Sequence, residues 1–122
     1  MSGAGGPVGP YSPCRRVDGW VVTSGQIGIG PGVTGLVEGG TGAQLRQALA
    51  NLSTVLATQG ATLADVVKTT VFVADMDDLA VVNEIWVEVF GENRPARSAV
   101  GAARLPLDAR VEVEAWAVLP PA

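Results

Sequence analysis

The sequence predicts an α/β domain of two layers, in which two helices pack on one face of a mixed β-sheet. Its 122 residues fit one compact domain, and 48% of them are hydrophobic, enough for a core. We expect residues 1–8 to be a flexible N-terminal segment and residues 9–122 to be the domain. The predicted elements follow the order strands, helix, strand, helix, strands. Two helices cannot cover both faces of so wide a sheet, so we expect a second subunit on the open face.

The first strands are predicted from short β-branched segments near glycines. Residues 21–23 have the composition of a buried strand, and residues 11–17 are its extended partner across an Asp-Gly turn. Residues 28–40 are dense in glycine. They predict a loop that contains one short edge strand at residues 36–38.

The first helix is predicted to begin at a capping box. Thr41 and Gln44 have the residue types and the spacing that satisfy free backbone amides at a helix start. Four leucines follow at spacings of four, three and four, which places them on one helix face. Gly60 is the expected C-terminal glycine. These leucines are Leu45, Leu49, Leu52 and Leu56.

A central strand and a second helix come next. Residues 66–74 are rich in β-branched side chains on both faces, as in a strand that is covered on both sides. One of the aspartates at 75, 77 and 78 is expected to cap the following helix, and Gly91 ends it. The buried face of this helix comprises Leu79, Val82, Ile85, Trp86 and Val89.

Two strands complete a sheet of about six. Residues 98–102 form one of them, and residues 111–119 alternate between apolar positions and a face that carries Glu112, Glu114 and Trp116. The open face of the sheet therefore carries two carboxylates.

The composition excludes several classes of function. The chain has no histidine, which removes Ser-His-Asp and Cys-His catalysis in their usual forms and most catalytic zinc sites. The single cysteine and an N-terminus without signal-peptide features favour a cytoplasmic location. A net charge of −4 with a single lysine disfavours nucleic acid as a partner, and no apolar run is long enough to span a membrane.

Three local motifs have simpler structural explanations. Residues 30–35 match G-x-G-x-x-G, but the predicted helix begins only at Thr41, so a loop explains them better than a dinucleotide site. The aspartates at 75–78 lack the glycine and glutamate of a calcium loop. Two arginines follow Cys14 and would favour its thiolate, but a lone cysteine is more often a bystander.

Glu112 and Glu114 share the strand face that a second subunit would cover. A buried carboxylate needs a partner, and Arg97, Arg104 and Arg110 are the candidates. On this pattern alone, a structural arginine–glutamate network and a functional site are equally compatible.

Several segments resemble the RidA (YjgF) family in their order and spacing, over residues 9 to 119. Three of them are Gly-Pro-Tyr-Ser at 9–12, Thr-Ser-Gly-Gln-Ile at 23–27 and Val-Lys-Thr-Thr-Val-Phe-Val at 67–73, and Val-Asn at 82–83 continues the match. The most specific segment is Pro-Ala-Arg-Ser-Ala-Val at 95–100, which leads through Ala-Arg-Leu-Pro at 103–106 to Val-Glu-Val-Glu-Ala at 111–115.

The resemblance implies a chorismate-mutase-like α/β fold and a homotrimer with a site at each subunit cleft. The implied reaction is hydrolysis of 2-aminoacrylate and related 2-imino acids to 2-oxo acids and ammonia, with no cofactor and no metal. The planar fork of arginine suits a substrate carboxylate. Because imines already hydrolyse in water, orientation and acid–base help suffice without histidine.

Position by position, the resemblance assigns the substrate carboxylate to Arg97 and the hydrolytic water to Glu112. Ala99 stands where many members have cysteine, and we expect this change to alter substrate preference rather than abolish activity. Pro13-Cys14 replaces the commoner Gln-Ala, with no predicted consequence. The residues implied to line the cleft are Tyr11, Ser24, Gly25 and Asn83.

Two other functions stay open. A trimer of the same fold is compatible with a non-catalytic metabolite-binding or chaperone-like role, in which the cleft holds carboxylates without turnover. The presence of both Arg97 and Glu112 favours the enzyme. Ribonuclease activity has also been attached to this family, but a net charge of −4 and one lysine argue against it.

Overall fold

The computed structural model describes residues 9–121, so the segment predicted to be flexible, residues 1–8, lies outside the described residues. The described part contains two α-helices and one five-stranded sheet. Their bounds are β1 Cys14–Val17, β2 Trp20–Thr23, α1 Gly40–Ala57, β3 Val66–Val73, α2 Leu79–Phe90, β4 Ala96–Gly101 and β5 Val111–Val118. Three short 3₁₀ helices lie at Leu63–Asp65, Met76–Asp78 and Pro106–Asp108.

The sheet is mixed, with the spatial order β1-β2-β5-β3-β4. β3 and β4 run parallel and are connected through α2, whereas the other neighbouring strands are antiparallel. The predicted two-layer arrangement is confirmed, because both helices pack on the same face. Side chains of that face form the main core, including Val71, Val113 and Ala115 of the sheet and Leu49 and Leu52 of α1.

The expected sixth strand does not form within residues 9–121. Residues 36–38 make one isolated bridge, between Leu36 and Ile29, instead of a ladder. The preceding glycines close a tight turn, in which Gly30 donates its amide to the carbonyl of Gly35 and Gly32 has a φ of 70°. This turn folds the segment back on itself before it reaches α1, as the loop interpretation of residues 30–35 predicts.

The predicted capping box at the start of α1 is wrong. Thr41 donates its hydroxyl to Asp78 over 2.6 Å, and the side-chain oxygen of Gln44 accepts the backbone N–H of Arg110 over 2.8 Å. Both side chains are buried and connect α1 to other elements instead of capping it. Hydrogen bonds to distant residues therefore replace the capping hydrogen bonds that the local sequence pattern predicts.

Asp78 joins the beginnings of α1, α2 and β5. Besides Thr41, it accepts a hydrogen bond from the Arg110 guanidinium over 3.0 Å, and the same contact is an ion pair. The hydrogen bond from Thr41 and then that from Arg110 hold the pKa of Asp78 below its ordinary value. Asp75 caps the 3₁₀ helix Met76–Asp78 that leads into α2, since its side chain accepts the amide of Asp77 over 2.9 Å. Asp78 is at the N-cap position of α2 itself and makes no capping hydrogen bond.

The second face of the sheet is open and partly apolar. Trp20 and Trp116 lie on neighbouring strands there and pack edge to face, with ring centres 5.9 Å apart. Both tryptophans are 45% exposed, and Val17 is 62% exposed. Exposed apolar side chains that cluster in this way mark an interaction surface.

None of the helices within residues 9–121 is long and apolar enough to cross a membrane.

We expect Asp78→Ala to lower the free energy of unfolding by about 1–2 kcal/mol at neutral pH, because Thr41 and Arg110 lose a shared acceptor. Since the folded-state pKa of Asp78 is lowered, its stabilisation is present above the unfolded-state pKa and is lost as pH falls through the folded value. Urea denaturation at neutral and acidic pH measures both effects. Asp77→Ala removes the same charge from an exposed position, and an equal loss in that control would contradict the role of Asp78.

Candidate functional site

Arg97 is fixed in place by α2 rather than by a carboxylate. It lies on β4, and its guanidinium donates to the side-chain oxygen of Asn83 over 2.9 Å. The guanidinium carbon lies 5.1 Å from the centre of the Trp86 ring, a cation–π contact. No ion pair involves Arg97 within residues 9–121. Arg97, Asn83 and Trp86 are hereafter the arginine half-site.

A cavity of 260 Å³ opens beside the arginine half-site. The remaining guanidinium nitrogens of Arg97 can donate to a bound anion, and a carboxylate matches their planar geometry. The cavity is lined by Asn83, Trp86, Val87, Arg94, Pro95 and Arg97.

Glu112 lies on the open face of the sheet, next to Gly25. A Cβ atom at position 25 would overlap the Glu112 carboxylate, so glycine makes room for this side chain. Burial raises the pKa of Glu112 above its ordinary value, and the neighbouring charge of Glu114 raises it further. A carboxyl group with a raised pKa is closer to the pH at which it can both take up and release a proton.

The segment at Ser24 and Gly25 is held from two sides. Ser24 donates its hydroxyl to the carbonyl of Ser12 over 2.6 Å, which brings the chain next to Tyr11 alongside it. On the other side, Gln26 bridges to Val113 of β5. Tyr11 itself is 45% exposed. Glu112, Gly25 and Ser24 are hereafter the glutamate half-site.

Asn51 of α1 anchors the loop that continues from this segment. It is 2% exposed, and its amide nitrogen donates to the carbonyls of Ile27 and Ile29 over 3.1 and 2.9 Å. Gln47 donates in turn to the Asn51 side-chain oxygen over 2.8 Å. The loop therefore has a fixed position relative to the helix layer, although it lacks regular secondary structure.

The two half-sites lie on opposite faces of the sheet in one chain. Arg97 is in register with Thr69 and, through it, with Ala115, both of which face the helices. Glu112 is three residues from Ala115 and so points to the other face. Two strand spacings and three residues of rise put the Cα atoms of Arg97 and Glu112 about 14 Å apart. One chain therefore does not bring these two predicted site residues together.

In the described part of one chain, none of the three candidate arginines pairs with Glu112 or Glu114. Arg104 forms an ion pair with Asp108 at 2.7 Å, and Arg110 pairs with Asp78. Arg97 points to the other face of the sheet. The arginine–glutamate network therefore does not form within residues 9–121 of one chain, because aspartates bind Arg104 and Arg110 and the side-chain alternation of the strands turns Arg97 to the other face.

A model of the protein family described as endoribonuclease L-PSP matches residues 2–119. The chain belongs to this family. It is 44% identical to the human 2-iminobutanoate/2-iminopropanoate deaminase over 118 residues, which are 97% of this chain and 86% of the relative.

Solved structures of the L-PSP family agree with the fold. RidA from an Antarctic Psychrobacter species superposes with a TM-score of 0.93 at 38% identity, covering 98% of this chain and 96% of that one. E. coli TdcF, solved with bound serine, superposes with a TM-score of 0.92 at 35% identity and the same coverage. The resemblance to the RidA (YjgF) family is thereby confirmed.

Three residues around the site were not predicted as part of it. Trp86 was assigned to the core, and it is 5% exposed, yet its ring also lies against Arg97. Its spacing of three from Asn83 on a helix is the signal that could have grouped the two. Asn51 is a polar residue within the apolar stripe of α1, which usually indicates a specific hydrogen-bonding role. Arg94 precedes Pro95 and has no comparable pattern.

We expect Gly25→Ala to lower the free energy of unfolding by about 1–2 kcal/mol, because the added methyl group displaces the Glu112 side chain. The same substitution should cost almost nothing in a Glu112→Ala background, where the overlap is gone. Urea denaturation of the two single variants and the double variant completes the cycle. An equal cost in both backgrounds would show that the strain at position 25 does not come from Glu112.

Proposed function

We propose that this protein is an enamine/imine deaminase, which hydrolyses 2-aminoacrylate and related 2-imino acids to 2-oxo acids and ammonia. The observation that carries the proposal is the Arg97 guanidinium, which Asn83 and Trp86 hold beside a cavity and which has no carboxylate partner among residues 9–121. The human and mouse relatives, 44% and 46% identical, are 2-iminobutanoate/2-iminopropanoate deaminases. Serine, which TdcF binds, has a carboxylate and a nitrogen on the same carbon, as 2-imino acids do.

Arg97 binds the substrate carboxylate and thereby sets the position of the imine carbon. A bidentate arginine–carboxylate contact fixes both distance and orientation, which lowers the entropic part of the barrier. Asn83 acts through Arg97 in this scheme, since its side-chain oxygen accepts from the guanidinium. We therefore assign Asn83 a positioning role at the cleft.

Glu112 acts as general base and general acid toward the hydrolytic water. Its carboxylate accepts a proton from the water as the water oxygen adds to the carbon of the protonated imine, whose nitrogen becomes a neutral amine. Glu112 then returns this proton to the nitrogen, and ammonia leaves as the carbonyl forms and the hydroxyl proton of the adduct passes back to the Glu112 carboxylate. The raised pKa of Glu112 suits these transfers. Tyr11, Ser24 and Gly25 line the same side of the cleft, and the scheme uses no cofactor.

The complete site forms between chains in a homotrimer. Opposite faces of one sheet cannot supply Arg97 and Glu112 to the same small molecule, whereas two copies can. The exposed apolar side chains around Trp20 and Trp116 are the surface that such an assembly would bury. The chorismate-mutase-like arrangement and the cytoplasmic location stay predictions of the same proposal.

The nuclease name of the family does not fit the charge of this chain. The net charge is −4, and Lys68, the only lysine, donates to Ser98 on the sheet. A surface that binds RNA needs clustered positive charge to replace the counterions of the phosphates. The deaminase is therefore the function that the residues favour.

We expect Arg97→Ala to lower kcat/KM for 2-iminopropanoate by about 100-fold or more, because the substrate carboxylate loses its charge-assisted partner. The imino acid is generated from alanine by an amino-acid oxidase, and semicarbazide traps what is not hydrolysed. Wild type should suppress the semicarbazone signal and Arg97→Ala should not. Arg46→Ala removes the same charge from an exposed ion pair with Glu88 and should behave as wild type.

An unchanged rate in Arg97→Ala would refute the assignment of Arg97. If wild type fails to suppress trapping of several imino acids but binds their 2-oxo acids in calorimetry, the protein is a binding protein and not a deaminase.

We expect a mixture of Arg97→Ala and Glu112→Gln chains to recover activity that each lacks alone, because the site takes one residue from each chain. Random assortment in a closed ring leaves about one site in four with both wild-type residues, so about a quarter of wild-type activity should return after the chains are mixed by reversible denaturation. Sedimentation equilibrium should give three chain masses. A mixture that stays inactive while the chains exchange would show that the two residues do not share a site.

A further inference from the structure

We propose that Arg94 makes this cavity selective for 2-imino dicarboxylates, which carry a second carboxylate on a short side chain. The inference rests on the proposed deaminase function and names its substrate class. Arg94 and Arg97 line the same cavity of 260 Å³, with Pro95 in the wall between them. The cavity therefore has two cationic side chains where one would suffice for a monocarboxylate.

Arg94 is available to a ligand. Its Nε donates to the carbonyl of Gly91 over 2.7 Å, which orients the side chain and leaves the two terminal nitrogens of the guanidinium free to donate. Within residues 9–121, no carboxylate lies within ion-pair distance of Arg94. Arg94 lies in the turn between α2 and β4, because α2 ends at its C-cap residue Gly91 and β4 begins at Ala96.

Among the residues that the structure describes, none that lines the cavity carries a negative charge. Its six residues are two arginines, an asparagine, a proline, Trp86 and Val87. This local charge of +2 stands out in a chain whose net charge is −4. A dianion is the ligand that satisfies both guanidiniums, and the apolar surfaces of Trp86 and Val87 suit the methylene groups between two carboxylates.

The two arginines have different tasks in this scheme. Arg97 is held by Asn83 and Trp86 and takes the carboxylate next to the imine, as in the proposed reaction. Arg94 takes the distal carboxylate and is a specificity residue. Imino acids of this class arise when the amine of an acidic amino acid is oxidised, so that class of reaction would supply the substrate.

The test compares 2-iminosuccinate with its neutral amide, 2-iminosuccinamate, which has nearly the same shape. Both are generated in situ by oxidases, from aspartate and from asparagine, and followed by semicarbazide trapping. We expect wild type to prefer the dicarboxylate and Arg94→Gln to lower the ratio of the two kcat/KM values about tenfold, the loss of one charge-assisted contact. Arg16→Gln is the matched control, because exposed Arg16 also donates Nε to a backbone carbonyl, that of Asp18 at 3.0 Å.

Each other outcome overturns a stated part of the scheme. A wild type that hydrolyses 2-iminopropanoate but does not prefer the dicarboxylate refutes the role of Arg94 and leaves the deaminase standing. Equal losses on both substrates in Arg94→Gln make Arg94 a structural residue and also refute it. If wild type hydrolyses no imino acid, the proposed function fails, and calorimetry with oxaloacetate against pyruvate decides on Arg94 alone. Inorganic phosphate that competes as well as oxaloacetate would show a general anion site instead.

Discussion

The alternation of side chains across the sheet determines how this protein can work. In a strand, neighbouring residues point to opposite faces, and the register of β4, β3 and β5 carries that alternation from Arg97 to Ala115. Arg97 consequently faces the helices, whereas Glu112 faces away from them. The two residues proposed for the chemistry are thus separated by the sheet that also builds the core. In the proposed homotrimer, association of chains completes the site and also covers apolar surface.

Each half-site has its own support within the chain. Helix α2 holds Arg97 through an amide and an aromatic ring rather than through an acid, so its charge stays available to a ligand. Helix α1 supports the other half indirectly, since buried Asn51 fixes the loop that follows Ser24 and Gly25. Asp78 then ties the start of α1 to that of α2 and to Arg110. The two-helix layer is therefore common to both halves.

Local periodicity accounts for the elements that sequence reasoning predicted well. The leucine spacing of α1 and the alternation of β5 are each a property of a single helix or strand. The structure contains both elements with the predicted buried faces. Side-chain partners depend on the whole fold, which is why the predicted capping role of Thr41 and Gln44 is wrong and why the candidates Arg104 and Arg110 pair with aspartates. Family resemblance named Arg97 and Glu112 as a pair, but a match along one chain carries no information on which copy supplies each. No sequence pattern indicates a role for Arg94, whose place beside Arg97 is visible only in the lining of the cavity.

The close fit of Glu112 against Gly25 has a consequence for how such proteins diversify. As long as the glutamate is present, any side chain at position 25 meets it. A side chain at position 25 therefore requires either that the Glu112 side chain moves from its present position or that position 112 becomes smaller, and the first route displaces the carboxylate. A lineage that has lost the glutamate and then gained a side chain at 25 cannot return by one substitution. The contact thereby makes a loss of Glu112, the residue proposed to act on the water, difficult to reverse.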